Sequence, residues 1–202
     1  MAKMSDRLIL ASSSAARATL LRTAGLVFEV RPPFVDETRV KAVARSSGCD
    51  AIATAQTLAQ EKAKVVSRRH PGAVVIGGDQ ILTVDDRWLD KPCDVEQARS
   101  QLLLLRGRAH ELATAACVVR DGIPLWQNES VPRLTMRPFS EAFLDNYLRE
   151  EGDSLLACVG AYRLEGQGVQ LFDSISGDYF AILGLPLLPL LAFLRRCAVI
   201  ST

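Results

Sequence analysis

The chain has 202 residues, of which 49% are hydrophobic and 23% are charged, and its formal net charge is +1. This length and composition are typical of a globular protein with one large domain, or with a domain and a small lobe. The charges are balanced and contain no block of one sign, and the aromatic residues amount to only 6%. These features argue against a general nucleic-acid-binding or membrane-surface function.

The five cysteines are scattered and form no Cys-x-x-Cys pair. Their odd number and wide spacing, together with the absence of a signal-peptide pattern, predict reduced thiols in a cytoplasmic protein. The apolar stretch 181–194 contains Gly184 and two prolines and is too short to span a bilayer. It predicts a loop that leads into a buried C-terminal helix.

The first elements predict an anion-binding turn. Residues 7–11 predict a strand, Ser12, Ser13 and Ser14 follow, and residues 15–24 predict a helix that Gly25 ends. Serine side chains can cap the free amides at a helix start, the helix dipole favours negative charge there, and Arg17 adds a fork of donors. A serine-capped helix without a ligand is the alternative interpretation.

Residues 28–31 predict a second strand, which a pair of prolines stops. Residues 34–37 predict a loop that carries the adjacent acids Asp36 and Glu37, a pattern most often found in solvated turns. Residues 50–69 predict a helix with Asp50 as its N-cap. Lys62 and Lys64 lie on different faces of this helix, so at most one of them is expected to point inward. A lysine on an amphipathic helix normally faces solvent.

The segment 73–80 combines an apolar strand with an acidic group. Residues 73–76 are small or β-branched and predict a buried strand, which is followed by Gly77, Gly78 and then Asp79. The two glycines predict a tight turn at the end of the strand. The same pattern also suits a backbone that a ligand approaches closely, with Asp79 directed into a cleft.

The rest of the chain continues this alternation of strands and helices. The predicted elements are a hairpin at 81–89, a rigid loop with Lys91 at 90–92, a helix at 94–105, a strand at 110–119, a hairpin turn at 121–122, a strand at 131–136, a helix at 140–149 and the final helix. Some connections between strands are too short for crossovers. The fold class is therefore predicted as α/β, of the mixed α+β type, with a central mixed sheet flanked by helices.

Short motifs in a fixed order make the whole chain resemble the Maf family of nucleoside triphosphate pyrophosphatases. They are the segments 8–12, 20–21, 35–37, 58–59, 62–63, 75–77, 91–92, 105–111, 160–162, 165–166, 177–179 and 184–186, together with Arg17, Asp79 and Gly168. Each motif is weak alone, and their joint order and spacing carry the resemblance. It implies one Maf-like domain over 1–202, with an ITPase-like fold and a cleft between two lobes.

The resemblance implies hydrolysis of a nucleoside triphosphate between the α and β phosphates, with Mg²⁺ or Mn²⁺, by a cytoplasmic homodimer. The family's catalytic carboxylate corresponds to Asp79, its lysines to Lys62 and Lys91, and its acidic metal-site position to Glu37. These residues, with Ser12, Ser13 and Arg17 as substrate-binding residues, supply the cations and the oxygen ligands that a triphosphate needs. Asp79 as general base and Asp79 as metal ligand both stay open, and Asp178 is a further candidate acid.

Three positions separate two branches of the family that this chain resembles. The dTTP/UTP type carries Arg, Thr and Gln there, and the 7-methyl-GTP type carries Trp, Gln and Glu, whereas this chain has Ala16, Gln80 and Glu165. A carboxylate at Glu165 can accept hydrogen bonds from the Watson–Crick edge of guanine and suits a positively charged methylated base. Because Ala16 cannot stack on that base, we expect a purine-leaning enzyme whose preference for the methylated base is weakened.

Two alternatives accompany this interpretation. One is a dTTP/UTP pyrophosphatase of the same family. The other is a regulatory or interaction protein in septum formation, with which the family is also associated. The presence of every ionisable family position, from Arg17 to Lys91, argues against an inactive scaffold.

Overall fold

A computed structural model describes residues 7–201 of the chain. The strands are β1 (Leu8–Ala11), β2 (Glu29–Val30), β3 (Val74–Val84), β4 (Arg87–Leu89), β5 (Ala109–Arg120), β6 (Ile123–Ser130), β7 (Arg133–Met136) and β8 (Phe172–Ser176). The α-helices are α1 (Ala15–Thr23), α2 (Glu37–Ser46), α3 (Ala51–Arg69), α4 (Val95–Leu105), α5 (Glu141–Glu151), α6 (Tyr179–Ile182) and α7 (Leu187–Arg196). Within 7–201, none of the helices has the length and apolar character needed to cross a membrane.

The strands form one mixed sheet in the order β2-β1-β3-β5-β7-β8, with β4 paired to β3 and β6 paired to β5. β1 runs parallel to both β2 and β3. β5 runs antiparallel to β6 and β7, and β7 runs antiparallel to β8. The predicted α/β class with a central mixed sheet and flanking helices is therefore confirmed.

The chain divides into two compact units. The first unit comprises the described residues up to Gln80, residues 114–130 and the described residues from Tyr179 onward, and the second comprises 81–113 and 131–178. The strands β3 and β5 each contribute to both units. The predicted single domain over 1–202 stays a prediction.

The core of the first unit collects apolar side chains from its parallel strands and from two helices. Leu10 of β1, Leu21 of α1, Ile76 of β3 and Leu190 of α7 are fully buried in one cluster. Both faces of β1 are buried, as expected of a parallel strand with helices on either side. This packing fixes the end of β1 and the middle of β3, where the polar residues of the unit collect.

The predicted turn at Gly77, Gly78 and Asp79 is wrong, because all three residues lie inside the continuous strand β3. A Cβ atom at Gly77 would lie 2.2 Å from the backbone oxygen of Ala59 and 2.8 Å from the Cβ of Ala63, both in α3. Gly77 is therefore required by the close approach of a helix to the strand. The sequence analysis considered a turn or a close approach by a ligand, whereas the space at Gly77 accommodates helix α3.

The predicted loop at 34–37 is also wrong in its last residue, because α2 begins at Glu37. The Asp36 carboxylate accepts a hydrogen bond from the backbone N–H of Arg39 at 2.9 Å and caps the helix. An aspartate followed by a helix is a common N-terminal signature, and the polar character of α2 concealed it. The sequence analysis also missed one strand. After the turn at 121–122 the chain forms β6, and the predicted strand at 131–136 corresponds to β7, which follows it.

The second unit buries one histidine in an aromatic cluster. His110 of β5 is 2% exposed, and its Nε2 lies 2.9 Å from the hydroxyl of Tyr162. The ring of Phe172 lies 5.9 Å from the His110 ring. Burial lowers the pKa of His110 from 6.5 to about 4 and raises the pKa of Tyr162 well above its usual value.

The contact at Gly77 gives a first testable prediction. We expect Gly77→Ala to lower the free energy of unfolding by about 3 kcal/mol or more, since the added methyl group meets backbone that cannot rotate away. Gly72→Ala is the control, because Gly72 has φ +75° and open space around it, so its cost is only the left-handed backbone, about 1 kcal/mol. Equal losses in urea unfolding of the two variants would contradict the close packing of α3 on β3.

Burial of His110 gives a second prediction, on pH dependence. The unfolded chain takes up a proton on this imidazole near pH 6.5, whereas the folded chain takes it up near pH 4. The contribution of neutral His110 is therefore complete above pH 6.5 and decreases as the pH falls to 4, by roughly 3 kcal/mol in total. Urea unfolding of the wild type and of His110→Gln across this range measures the difference, and parallel stability curves would contradict it.

Candidate active site

The candidate site of the first unit lies at the carboxyl end of β1, beside the middle of β3. The register between β1 and β3 pairs Ala11, the last residue of β1, with Gly77. The serine turn therefore begins beside Gly78, and Asp79 follows two residues after the paired glycine. Ligand sites of α/β sheets commonly lie at the carboxyl ends of parallel strands, so this is the expected place for functional side chains.

Helix α3 brings a lysine to this position. Ala59 and Ala63 contact β3 at Gly77, and Lys62 lies in the same helical turn. Lys62 is only 6% exposed, and its Nζ donates a hydrogen bond to Oδ1 of Asp79 at 2.5 Å. Lys62 is therefore the lysine of this helix that points inward, because the glycine lets the helix lie directly on the strand.

The same ammonium group also binds a second carboxylate. Nζ of Lys62 lies 2.8 Å from Oε1 of Glu37, the first residue of α2. Asp79 is 5% exposed, whereas the Glu37 side chain is 47% exposed. The three predicted residues Glu37, Lys62 and Asp79 thus form one charged cluster, in which a buried cation separates two acids.

Arg17 and Ser12 lie next to this cluster. The Ser12 hydroxyl accepts hydrogen bonds from the backbone N–H of Ser14 at 3.1 Å and from Nη1 of Arg17 at 3.3 Å. Burial lowers the pKa of Arg17, and the nearby carboxylates of Asp79 and Glu37 oppose that shift. Arg17 therefore stays a cation within electrostatic reach of both acids.

The predicted serine turn is present, and its members differ in role. Ser14 is the N-cap of α1, and its hydroxyl accepts from the backbone N–H of Arg17 at 3.3 Å. Ser12 is 4% exposed, whereas Ser13 is exposed at the surface of the turn. In its contacts with Ser14 and Arg17, Ser12 uses its oxygen as the acceptor. Its hydroxyl proton is therefore the group that it can offer to a phosphate oxygen.

Two glycines hold the Arg17 side chain in place. A Cβ at Gly78 would lie 3.3 Å from Nε of Arg17, and a Cβ at Gly184 would lie 3.2 Å from the same atom. Nε also donates to the carbonyl oxygen of Gly184 at 2.8 Å. The second glycine of the 77–79 motif therefore accommodates the guanidinium group of Arg17, a role that the sequence alone did not indicate.

The specificity positions of the first unit are Ala16 and Gln80. Ala16 is the second residue of α1 and is half-buried. Gln80 follows Asp79 in β3 and uses its amide nitrogen to bind Thr114 and the carbonyl oxygens of Ala181 and Ile182. The role of either residue in substrate choice stays a prediction.

The second unit contains Lys91, Glu165 and Asp178. Lys91 is exposed between β4 and α4, and the carbonyl oxygen of its neighbour Asp90 accepts from Nε2 of Gln101 at 2.9 Å. Lys91 and Glu165 both act electrostatically on the thiol of Cys158, whose pKa burial raises. Both residues therefore lie within electrostatic range of one thiol, and their catalytic and specificity roles stay predictions, as does that of Asp178.

Glu151 is a structural residue of this unit that the sequence analysis missed. Its side chain is 9% exposed and accepts from Nη1 of Arg163 and from the backbone N–H of Gln167, each at 3.2 Å. Arg163 in turn lies 3.6 Å from Glu165. An acid in the last turn of a helix is disfavoured by the helix dipole, and this is the signal by which Glu151 could have been found.

The donor set of the first unit fits a hard divalent cation. Mg²⁺ is typically held in proteins by one or two carboxylates together with phosphate oxygens of the substrate. Glu37 and Asp79 provide two carboxylates that one ammonium group already holds close together. Within residues 7–201, no group of three or more His, Cys, Asp or Glu side chains is arranged as a metal site, so the substrate would have to complete the coordination.

Comparison with known proteins connects this geometry to a family. The family of Maf-like proteins matches residues 7–197. The chain belongs to the Maf family. The family resemblance predicted from the sequence motifs is therefore confirmed, over almost the whole chain.

Similar proteins carry two kinds of name. A nucleoside triphosphate pyrophosphatase of Granulibacter bethesdensis is 53% identical over 190 residues, which cover 94% of this chain and 96% of that protein. A 7-methyl-GTP pyrophosphatase of Brucella abortus is 47% identical over 193 residues, covering 96% and 97% of the two chains. A 7-methyl-GTP pyrophosphatase of Rhizobium etli is 47% identical over 198 residues, covering 98% and 100%.

The charged cluster gives a third prediction. Lys62→Met leaves two acids without their ammonium partner, and we expect it to lower the free energy of unfolding by about 3–5 kcal/mol. Asp79→Asn alone leaves the ammonium with Glu37 and should cost less. In the double variant we expect less destabilisation than the sum of the single changes, by about 1–3 kcal/mol. Urea unfolding of the four proteins measures this coupling, and additive losses would show that Lys62 and Asp79 do not interact in solution.

Proposed function

We propose that this Maf protein hydrolyses nucleoside triphosphates between the α and β phosphates and releases a nucleoside monophosphate and pyrophosphate. The observation that carries the proposal is the Lys62 ammonium group held between Glu37 and Asp79, with Arg17 beside them. The names of similar proteins, which include nucleoside triphosphate pyrophosphatases, support the same activity. Because phosphoryl transfer depends mainly on positioning and charge neutralisation, these are the residue types that it requires.

Asp79 is assigned as the general base. Its Oδ1 accepts a hydrogen bond from Nζ of Lys62. We assign to Oδ2 the proton of the attacking water, whose oxygen forms a bond to the α-phosphorus while the bond to the bridging oxygen breaks. The electron pair of that bond leaves with pyrophosphate. Lys62 fixes the orientation of the carboxylate and so determines which oxygen faces the water.

Arg17 and Ser12 are assigned to the phosphate oxygens. The guanidinium group can donate to the triphosphate while its Nε stays on Gly184. The described charges of the cluster balance, since Arg17 and Lys62 oppose Glu37 and Asp79. A triphosphate therefore requires additional positive charge, which Mg²⁺ or Mn²⁺ bound at Glu37 would supply by neutralising the phosphate oxygens. This requirement supports the expected divalent cation.

The proposed substrate is 7-methyl-GTP or a related purine nucleotide. Gln80 and Glu165 match the pattern of that branch, and proteins of Brucella abortus and Rhizobium etli with 47% identity carry its name. Ala16 lacks the aromatic ring that would stack on a cationic base, so the preference for the methyl group should be modest. We propose that Lys91 contributes to catalysis, and that the protein acts as a cytoplasmic homodimer without nucleic-acid or membrane partners, on the family resemblance alone.

Pyrophosphate release tests the proposal. With Mg²⁺ or Mn²⁺ we expect turnover of 7-methyl-GTP and GTP to exceed that of dTTP, UTP and CTP. Asp79→Asn should lower kcat by about 10²- to 10⁴-fold, as for loss of a general base. Lys64→Met is the control, because Lys64 lies in the same helix as Lys62 and pairs with Glu61, so the variant should retain wild-type turnover.

Each outcome of this assay decides one part of the proposal. Faster hydrolysis of dTTP or UTP than of the guanine nucleotides would retain the enzyme and reject the purine preference. Absence of hydrolysis for all five nucleotides would reject the activity itself. Full activity of Asp79→Asn would reject the assigned base.

A further inference from the structure

A buried threonine lies at the centre of the contacts that hold Gln80. Thr114 of β5 is fully buried. Its hydroxyl accepts a hydrogen bond from Nε2 of Gln80 at 2.8 Å and donates one to the carbonyl oxygen of Ala181 at 3.0 Å. Nε2 of Gln80 also donates to the same carbonyl at 2.9 Å. One hydroxyl therefore connects the middle of β3 to α6, entirely within the first unit.

These contacts fix the orientation of the Gln80 amide. Its nitrogen lies 2.9 Å and 3.2 Å from the carbonyl oxygens of Ala181 and Ile182. Carbonyl oxygens can only accept, so exchanging the nitrogen and oxygen of the amide would place three acceptors against one another. The amide nitrogen is thus committed to the protein, and Oε1 is the atom that Gln80 can offer to a ligand.

The turn formed by residues 181–184 holds the side chain of Arg17. The carbonyl oxygen of Ala181 also accepts from the backbone N–H of Gly184 at 2.9 Å, which closes the turn 181–184. The carbonyl oxygen of Gly184 then accepts from Nε of Arg17 at 2.8 Å. A chain of hydrogen bonds therefore runs from Thr114 through the turn to the guanidinium group.

We infer that Thr114 is a positioning residue of the candidate active site. Its hydroxyl holds the turn 181–184, the turn holds Arg17, and the guanidinium group is thereby directed to the phosphate oxygens of the substrate. The inference rests on the proposed function, since it assigns to Arg17 the binding of a polyphosphate. Thr114 thus supports polyphosphate binding by orienting Arg17, without touching the substrate itself.

Two substitutions separate the hydroxyl of Thr114 from its methyl group. Thr114→Val keeps the shape and removes the hydrogen bonds of the hydroxyl to Gln80 and Ala181, whereas Thr114→Ser keeps the hydroxyl and removes a buried methyl group. We expect Thr114→Val to weaken the affinity for inorganic triphosphate, measured by calorimetry, by about 10- to 100-fold, because a displaced Arg17 loses its geometry. Thr114→Ser should stay within about twofold of the wild type, although its Tm falls through the cavity that it creates.

The route through Arg17 is tested in a second background. In Arg17→Met the guanidinium group is gone, so adding Thr114→Val should change the triphosphate affinity by less than about twofold. Wild-type affinity in Thr114→Val, or an equal loss in Thr114→Ser, would overturn the inference. So would a further large loss in the Arg17→Met background.

Turnover of nucleotides is measured on the same proteins, corrected for the folded fraction. The value of kcat/KM should fall in Thr114→Val and be retained in Thr114→Ser. If the wild type hydrolyses no nucleotide, the proposed function fails, and the triphosphate affinities still decide whether Thr114 positions Arg17. The two failures are therefore distinguishable.

Discussion

The absence of a side chain at Gly77 is the constraint on which the candidate site depends. A methyl group there would meet the backbone of α3 at 2.2 Å, so only glycine allows the helix to lie directly on β3. That contact brings Lys62 to Asp79 with an Nζ–Oδ1 distance of 2.5 Å. The chemistry of the site thus originates in a packing requirement between a helix and a strand.

The electrostatic cost of this arrangement is met by pairing. Transfer of one ammonium group into a protein interior costs several kcal/mol, which a well-placed counterion must offset. Lys62 has two carboxylate partners, one of them nearly buried and one half-exposed. The ammonium in turn keeps two like charges close together, which would otherwise repel each other. The charges of the site are therefore nearly balanced before a triphosphate and a divalent cation bind.

The sequence predicted most elements because their signals are local. Ser14, Asp50, Asp94 and Ser140 cap their helices through the side-chain contacts that their residue types suggest. The turn predicted at Gly77, Gly78 and Asp79 was wrong because the two glycines make room for Ala59 and Arg17, which are distant in the chain. Local patterns cannot separate a glycine that allows a turn from one that allows a contact.

The candidate site was predictable in its charged members and not in its supporting ones. Arg17, Glu37, Lys62 and Asp79 were identified through family motifs, and the structure brings them together. Thr114 carries no such signal, because its role arises from hydrogen bonds to residues far along the chain. Supporting residues of this kind become visible only when the tertiary contacts are known.

Gln80 shows what this means for substrate choice. A glutamine can donate or accept, and its residue type alone does not decide which group faces a nucleotide. Thr114 and the carbonyl oxygens of the 181–184 turn bind its nitrogen, and so leave only the acceptor for a ligand. The specificity of such a position therefore belongs to the residue together with the groups behind it. A family pattern that compares the residue alone describes only part of the recognition.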